Sequence, residues 1–337
     1  MIKVCLINGD GVGREVIPAA AEVLAALSLG LEFAEAHAGF EYFRRSGDAI
    51  PDATLAEIEA CGVALFGATS SPSTSVDGYR SPILALRQAF DLYANLRPVQ
   101  SLPGKFSRPN LDLLIVRENT EGLYAGRERL EGDTAIAERV ITRQGSTRIA
   151  RMAFEQARKR TPHPAFNIQP AVTIVHKANV LTITDGLFRE CALQVAQDYP
   201  EIAVKEMLID AMAMRLVRDP ENFDVIVTTN LFGDILSDEA SALIGGLGVA
   251  PSANIGERVA VFEPVHGSAP DIAGQGLANP IGAILSAALL LDHIGQAAQA
   301  ARVRQAVHET VKQGVLTKDL GGQAMTKEVT RAAVRNL

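Results

Sequence analysis

Residues 2–27 read IKVCLINGDGVGREVIPAAAEVLAAL and show a pattern that continues along the chain. The apolar run Ile2–Ile7 is typical of a buried strand, and Val16–Leu27 places apolar residues at helical spacing. A glycine-rich turn separates these two segments. A short buried strand that leads through a tight turn into an amphipathic helix is typical of a parallel α/β sheet.

Short apolar runs and longer helical patterns alternate almost from end to end. Further buried strands are predicted at Val63–Phe66, Leu111–Val116, Val172–Val175 and Asp224–Thr228, and helices at Ser146–Arg160, Asp185–Tyr199, Asp234–Ile244, Ile281–Ile294 and Ala298–Lys312. Strands that alternate with helices form a largely parallel sheet covered by helices. The sequence therefore predicts an α/β fold.

The turn Gly9-Asp10-Gly11-Val12-Gly13 follows the first strand, where a dinucleotide-binding fingerprint would lie. The fingerprint GxGxxG does not fit, because its third glycine would fall at Arg14. We therefore interpret these glycines as a structural turn. A dinucleotide, if one binds, must be held by another route.

The chain has 337 residues, which corresponds to about two domains at roughly 150 residues each. Two segments rich in Pro, Gly and Ser, Pro98–Asn110 and Gly245–Ala253, mark candidate boundaries. They predict an outer domain of residues 1–98 and 251–337 and a central domain of residues 99–250.

The composition excludes several classes of protein. With 47% hydrophobic and 21% charged residues, the chain has ample material for a core and is neither disordered nor a coiled coil. The formal net charge of −7 argues against nonspecific nucleic-acid binding. Aromatic residues make up 5% and Trp is absent, so stacking platforms for single-stranded nucleic acid are not expected.

The cellular setting is predicted from cysteines and apolar segments. Cys5, Cys61 and Cys191 are few and far apart, as in a reducing compartment, and show no metal-binding spacing. The N-terminus lacks the pattern of a signal peptide. The uncharged stretch Ala273–Leu291 contains polar residues and glycines, and favours a buried helix over a membrane span. We expect a soluble, cytoplasmic protein.

Carboxylates after a predicted strand are candidate metal ligands. Asp234 and Asp238 lie four residues apart and so share one face of a predicted helix that begins near Gly233. Asp210 could supply a third oxygen, and three hard oxygen donors suit Mg²⁺ or Mn²⁺. Acidic residues at a helix start can equally serve only to complement the helix dipole.

Arginines, a tyrosine and a lysine are candidates for substrate chemistry. Arg87, Arg97 and Arg117 lie in semi-apolar settings, where a guanidinium can bind a carboxylate through two hydrogen bonds. A single arginine of this kind is usually a surface ion pair, whereas three favour a polyanionic substrate. Tyr124 and Lys177 are possible acid–base groups, although isolated Tyr and Lys residues are mostly structural.

Five longer motifs carry a family resemblance: DLYANLRP (91–98), RENTEGLY (117–124), HKAN (176–179), NLFGDILSDEA (230–240) and FEPVHGSAPDIAG (262–274). Together they resemble the β-decarboxylating dehydrogenases, which comprise isocitrate, homoisocitrate and 3-isopropylmalate dehydrogenases. The likeness extends from residue 7 to residue 322, essentially the whole chain. It implies an isopropylmalate dehydrogenase-like two-domain fold rather than a Rossmann fold, an active site in the interdomain cleft, and a homodimer, with a tetramer left open.

The resemblance assigns roles to individual residues. It implies Tyr124 and Lys177 as the acid–base pair and Asp210, Asp234 and Asp238 as the ligands of Mg²⁺ or Mn²⁺. It implies that Lys177, Asn179 and Asp210 reach into the active site of the other subunit. Residues implied to bind substrate are Ser71, Arg80, Ser81, Arg87, Arg97, Arg117, Tyr124, Lys177 and Asn179. Residues implied to bind the dinucleotide are Gly67, Ala68, Thr69, Glu263, His266, Gly267, Ser268, Ala269, Asp271, Ile272 and Asn279.

The choice between NAD and NADP can be argued from the residues implied to lie at the adenosine end of the dinucleotide. The resemblance places Asp271 and Ile272 there, and a carboxylate favours free ribose hydroxyls and repels a 2′-phosphate. NAD is therefore expected rather than NADP.

The resemblance implies a small di- or tricarboxylic 2-hydroxy acid as substrate. RENTEG resembles the isocitrate and homoisocitrate branches of the family. Ser71-Pro72 and DLYANLRP resemble the homoisocitrate group in particular, which acts in lysine biosynthesis by the aminoadipate route. That group can carry an arginine for the distal carboxylate of the substrate where this chain has Leu84, and the stretch Tyr79-Arg80-Ser81 is a possible substitute for it. Isocitrate, alone or as a second activity, and then 3-isopropylmalate remain alternatives. A noncatalytic regulatory subunit is disfavoured, because such subunits lose acid–base or metal groups that this chain retains.

Overall fold

The computed structural model describes residues 2–72, 74, 76–160 and 170–337. The chain divides into two compact units. The first contains Met1–Leu92, Leu102–Ser107 and Ile244–Leu337, and the second contains Tyr93–Ser101 and Arg108–Leu243. The boundary expected at residue 98 falls within a strand of the second unit, and the boundary expected at residue 250 falls beside a strand of the first.

The strands, numbered in chain order, are β1 Ile2–Ile7, β2 Leu31–Ala36, β3 Val63–Phe66, β4 Ala94–Gln100, β5 Asp112–Glu118, β6 Glu128–Glu131, β7 Thr134–Ala137, β8 Ala171–His176, β9 Ala203–Leu208, β10 Val225–Thr228, β11 Pro251–Ile255 and β12 Ala260–Pro264. The α-helices are α1 Gly13–Ala26, α2 Phe40–Ser46, α3 Asp52–Cys61, α4 Pro82–Ala89, α5 Arg143–Lys159, α6 Thr184–Ala196, α7 Ile209–Arg218, α8 Asn230–Ala242, α9 Ile281–His293, α10 Ala297–Lys312 and α11 Thr326–Arg335.

The first unit contains the strand order β2-β1-β3-β12-β11. Its strand pairs are parallel except for the antiparallel pair β11–β12. The central strands carry apolar residues on both faces, as strands covered on both sides require. Cys5, Ile7, Phe66 and Val261 lie in one buried cluster, which places part of the core of this unit at β1, β3 and β12.

The second unit contains the strand order β4-β5-β10-β8-β9. Its pairs are parallel except for β4–β5, which run antiparallel with Ala94 opposite Glu118. Every residue of β8 and β10 is buried, and α5 packs against this part of the sheet. The strands β6 and β7 form a separate, largely exposed antiparallel hairpin.

The predicted α/β class and mostly parallel sheet are confirmed, and each predicted strand and helix has a counterpart shifted by a few residues at most. The strands that periodicity missed include β2 and β9, whose side chains are mainly exposed or half-buried. Such edge strands lack the apolar runs that mark a buried strand. The helix α9 is buried, as expected for the uncharged stretch. Among the helices described, none is both long enough and apolar enough to cross a membrane.

Candidate active site

Two arginines of the second unit extend from neighbouring strands toward one helix. Arg97 lies in β4 and Arg117 lies in β5, and their side chains are 9% and 1% exposed. Both point toward α8, which begins two residues after β10 ends. The antiparallel pairing of β4 with β5 thus places two guanidinium groups beside the same helix.

Asp234 of α8 is the centre of this group. Its Oδ1 accepts hydrogen bonds from Arg117 Nη1 and, at 3.3 Å, from Arg97 Nη2, while its Oδ2 accepts one from the Tyr124 hydroxyl at 2.5 Å. One turn later, Asp238 Oδ1 accepts from Arg97 Nη1 at 2.9 Å. The structure therefore brings together five residues that the sequence singled out, with two carboxylates compensating two arginines that are largely shielded from water.

The environment of Tyr124 raises its pKa above that of an ordinary tyrosine. Burial raises the pKa of Tyr124, and its hydrogen bond to the Asp234 carboxylate raises that pKa further. Burial also raises the pKa of Asp238, against the opposing effect of Arg97. A tyrosine that keeps its proton at neutral pH can act as a proton donor.

Two further residues of α8 hold Arg117 in place. Asn230 Oδ1 accepts from Arg117 Nε at 3.1 Å and from Nη2 at 2.7 Å. A Cβ on Gly233 would lie 2.6 Å from Arg117 Cγ, so only glycine lets the arginine pass. The helix predicted to begin near Gly233 begins slightly earlier, at Asn230, so Gly233 lies within α8 and permits its close packing against Arg117. Sequence reasoning missed Asn230, although it opens the motif NLFGD.

Lys177 belongs to a second group. It follows β8, and its Nζ forms an ion pair with Asp210 Oδ1 in the first turn of α7. This hydrogen bond lowers the pKa of Asp210. Asn179 is exposed nearby in the chain. Within the described ranges, no set of three His, Cys, Asp or Glu side chains forms a metal-binding cluster, so Asp210 is not gathered with Asp234 and Asp238 by one chain.

The three aspartates are candidate donors for a divalent cation. Asp234 and Asp238 present carboxylate oxygens on one helix face, with side chains 30% and 52% exposed. Asp210 is 66% exposed and accessible to another molecule. Oxygen donors of this kind are those that Mg²⁺ and Mn²⁺ prefer.

The remaining substrate candidates lie in the first unit. Arg87 is buried and lies 3.7 Å from Glu263, whose Oε1 also accepts from Asn254 at 2.7 Å. Arg80 is exposed and donates to Gln88 Oε1 at 2.8 Å. Ser71 is exposed, and Ser81 is the residue before α4. A candidate substrate residue and a candidate cofactor residue, Arg87 and Glu263, are therefore adjacent in this unit.

The glycine turn has the structural role expected for it. A Cβ on Gly9 would lie 2.2 Å from the Ala68 carbonyl oxygen, and one on Gly11 would lie 2.0 Å from that of Ser268. Asp10 is buried and accepts hydrogen bonds from the main-chain nitrogens of Phe40, Glu41 and Ser70. The turn is thus packed between the segments that contain Gly67–Thr69 and Ser268. Ser70 joins these segments directly, through a hydroxyl contact of 2.9 Å with Ser268.

A cavity of about 670 Å³ in the first unit contains several of the expected dinucleotide-binding residues. It is lined by Val12, Gly248, His266, Gly267, Ala269, Ile272, Leu277, Ala278, Asn279, Lys318 and Asp319. Asp271 is exposed and is not part of this lining. The lining residues missed by sequence reasoning include Lys318 and Asp319, and Asp319 begins the stretch DLGG (319–322) at the end of the family likeness.

The chemistry of this cavity fits an adenosine group. Among the residues that the structure describes, none forms a hydrogen bond with the buried Nε2 of His266, whereas its Nδ1 contacts the Gly267 carbonyl at 2.9 Å. Burial lowers the pKa of His266, so the ring is neutral at neutral pH and Nε2 is an acceptor. Asn279 is oriented by Asp319, at 2.9 Å. A hydroxyl or amino group of a bound nucleotide would satisfy Nε2.

Comparison with known proteins identifies the family of this chain. Residues 3–333 match the family model described as isocitrate/isopropylmalate dehydrogenase. The chain is 53% identical to an isocitrate/homoisocitrate dehydrogenase of Thermus thermophilus, covering 99% of this chain and 98% of that protein. It is 52% identical to a homoisocitrate dehydrogenase of Methanocaldococcus jannaschii, with 98% and 96% covered. The solved structure of isocitrate dehydrogenase from Methylococcus capsulatus superposes with a TM-score of 0.93 at 43% identity, over 100% of this chain and 99% of that one.

The family predicted from the motifs is thereby confirmed, as is the class of enzyme, an oxidoreductase that decarboxylates its substrate. The chain belongs to the isocitrate/isopropylmalate dehydrogenase family.

Proposed function

We propose that the protein catalyses the NAD-dependent oxidative decarboxylation of a 3-carboxy-2-hydroxy acid, with homoisocitrate converted to 2-oxoadipate as the favoured reaction. The observation that carries this proposal is the group around Asp234, in which Arg97, Arg117 and Tyr124 all donate to one carboxylate. A site that holds two shielded guanidinium groups beside a protonated hydroxyl is suited to a polycarboxylate that must receive a proton.

The arginines bind and orient the substrate. Arg97 and Arg117 already pair with carboxylates of the protein, and carboxylates of the substrate replace part of that pairing at little cost in desolvation. Asn230 accepts two hydrogen bonds from the Arg117 guanidinium, and Gly233 leaves room for the arginine side chain. Because the guanidinium is already fixed, less conformational entropy is lost when substrate binds.

The acid–base steps are assigned to Lys177 and Tyr124. Lys177, in its unprotonated amine form, accepts the proton of the C2 hydroxyl during oxidation, and Tyr124 donates a proton to the carbon that has lost carboxylate. The raised pKa of Tyr124 keeps this proton available at neutral pH. Bound NAD supplies the hydride acceptor. Asp210, Asp234 and Asp238 would hold a divalent cation, which would supply Lewis-acid chemistry at C2.

The cavity around His266 is proposed to hold the adenosine end of NAD. The unpartnered His266 Nε2, the ordered Asn279 amide and the apolar side chains of Ile272 and Leu277 suit an adenine and its ribose. We propose Asp271 as the residue that disfavours the 2′-phosphate of NADP, because its carboxylate is exposed beside Ile272.

We propose further that two copies form a homodimer with shared active sites. Asp210, Met214 and Val217 lie on one face of α7 at positions i, i+4 and i+7, and Met214 and Val217 are 53% and 57% exposed. Ile183 near the start of α6 and Leu130 in the β6–β7 hairpin are 84% and 76% exposed. A second copy would cover this apolar surface and would receive Asp210 and Lys177.

Isocitrate is the second candidate substrate. The Thermus relative is named for both isocitrate and homoisocitrate. Arg80, proposed to bind the distal carboxylate, donates to Gln88 and is exposed, so it is available to a substrate only after exchanging that partner. The retained Tyr124, Lys177 and three aspartates favour an enzyme over a noncatalytic subunit.

The deciding experiment compares kcat/KM for homoisocitrate, isocitrate and 3-isopropylmalate, each with NAD and with NADP in the presence of Mn²⁺. We expect the highest value for homoisocitrate with NAD. A preference of more than about tenfold, or 1.4 kcal/mol, for isocitrate or 3-isopropylmalate would reassign the substrate. Absence of turnover with all three would contradict the proposed function.

A further inference from the structure

A buried carboxylate lies directly behind Lys177. Asp185, in the first turn of α6, is 0% exposed, and its Oδ2 accepts a hydrogen bond from the Lys177 main-chain nitrogen at 2.6 Å. Its other oxygen, Oδ1, pairs with the Arg139 guanidinium. The carboxylate therefore holds the main chain at the point where it leaves β8.

Arg139 contacts a second functional segment. Its Nη2 donates to Thr229 Oγ1 at 2.8 Å, and its guanidinium carbon lies 5.0 Å from the centre of the Phe232 ring. Thr229 precedes α8 and Phe232 lies in its first turn, two residues before Asp234. The same guanidinium thus holds the beginning of the helix that carries Asp234 and Asp238.

Val140, the residue after Arg139, contacts a third segment. Val140 exchanges two main-chain hydrogen bonds with Gly122, at 2.7 and 3.3 Å. Gly122 directly precedes the short helical turn Leu123–Ala125, which contains Tyr124. The segments that carry Tyr124, Lys177 and Asp234 therefore converge on residues 139–140 and Asp185.

We propose that Arg139 and Asp185 are positioning residues for the reaction. The pair fixes the Lys177 main chain relative to the start of α8, and so fixes the positions of the Lys177 side-chain nitrogen and the Asp234 carboxylate. This inference rests on the proposed function, which assigns Lys177 and Asp234 to catalysis. Neither Arg139 nor Asp185 needs to touch substrate.

The chain contains a matched control at the opposite end of the same strand. Asp224 Oδ2 accepts from the main-chain nitrogen of Ala171, the first residue of β8, at 2.9 Å, and Asp224 Oδ1 pairs with Arg160. The side chains of Asp224 and Arg160 are 11% and 21% exposed, against 0% and 14% for Asp185 and Arg139. Both pairs have the same chemistry, but only the first is next to Lys177.

The test compares Asp185→Asn with Asp224→Asn in the full-length protein. The free energy of unfolding of both variants is measured first, because a purely structural role predicts similar losses. We expect Asp185→Asn to lower kcat by at least about tenfold with less than about a twofold change in KM for NAD, and Asp224→Asn to leave kcat within about twofold of wild type. Equal effects on kcat would overturn the proposal.

A second measurement requires no substrate. Acetic anhydride acylates the unprotonated amino groups of lysines, and peptide mass spectrometry reports the rate at Lys177 relative to the other lysines. We expect that rate to rise severalfold in Asp185→Asn, as the contact between Lys177 and Asp210 loosens, and to stay unchanged in Asp224→Asn. Equal labelling in both variants would reject the positioning role even if none of the three substrates were turned over by the wild type. If Asp185→Asn does not fold, Arg139→Lys is compared with Arg160→Lys in the same way.

Discussion

Gly233 and Arg117 are in such close contact that a Cβ on the glycine would lie 2.6 Å from Arg117 Cγ. The glycine is in the interior of α8, where it is normally destabilising by roughly 0.5–1 kcal/mol relative to alanine. Here it allows a buried guanidinium to reach Asn230 and Asp234.

Replacing this glycine should therefore damage the site. We expect Gly233→Ala to lower the free energy of unfolding by about 1–3 kcal/mol and to raise KM for the hydroxy acid, because Arg117 must move. Gly186→Ala is the control, because Gly186 is also helical and has nothing within 4 Å of its Cβ position. It should stabilise the protein by about 0.5–1 kcal/mol. If urea unfolding shows that both substitutions raise, or both lower, the free energy of unfolding, this account is contradicted.

Asp234→Asn tests the carboxylate at the centre of the candidate site. The change removes a charge that compensates Arg97 and Arg117 and one of the proposed metal ligands. We expect kcat/KM to fall by at least about a hundredfold, roughly 3 kcal/mol, and the Mn²⁺ concentration for half-maximal activity to rise. Full activity of the wild type after rigorous chelation would exclude the metal assignment.

The proposed cofactor preference depends on Asp271 and Ile272. Removing the carboxylate and adding a cation, as in Asp271→Lys with Ile272→Tyr, should shift the ratio of kcat/KM values for NADP and NAD toward NADP. Asp271→Asn isolates the contribution of charge. If the unsubstituted protein already prefers NADP, Asp271 does not discriminate, and Lys318 in the cavity lining becomes the residue to test.

The neutral state of His266 should make stability depend on pH. Burial lowers the pKa of His266 in the folded protein, so below about pH 6.5 the unfolded chain binds more protons than the folded chain. The free energy of unfolding therefore falls as the pH decreases through this range, by at most about 1.4 kcal/mol per pH unit for one proton. His266→Asn should reduce this slope between pH 7 and 5. At pH 8 the wild-type ring is neutral, so the difference in free energy of unfolding between the two proteins at that pH serves as the reference. If that difference stays the same down to pH 5, the assignment of a lowered pKa to His266 is contradicted.

The shared active site is tested by mixing two inactive variants. Lys177→Met removes a group proposed to serve the partner's site, and Asp234→Asn removes one from a chain's own site. A mixed dimer then has one intact site and one that carries both changes. Refolding the two variants together at equal concentration should restore about a quarter of wild-type activity, since about half the dimers are mixed. No restored activity, despite subunit exchange shown by mass spectrometry, would place each site within a single chain.

The sequence by itself determined the α/β class, five of the buried strands and the family, but it did not find the buried strands β11 and β12. Buried strands such as Ile2–Ile7 and Val63–Phe66 are continuous apolar runs, and that signal is local. The failed fingerprint at Arg14 correctly indicated that the glycines form a structural turn, because the spacing of glycines is also local information. Edge strands such as Ala203–Leu208 could not be found in this way, since their exposed side chains carry no apolar run.

Only the tertiary structure decided which candidates meet. Arg97 and Asp238 are 141 positions apart, and nothing in their local sequence indicates that the pairing of β4 with β5 brings them together. The same holds for Asp185, whose contact with the Lys177 main chain gives an ordinary helix-start aspartate a distinct environment. Local patterns report burial and spacing, whereas contacts between distant segments depend on strand order and close packing, which arise only when the whole sheet forms.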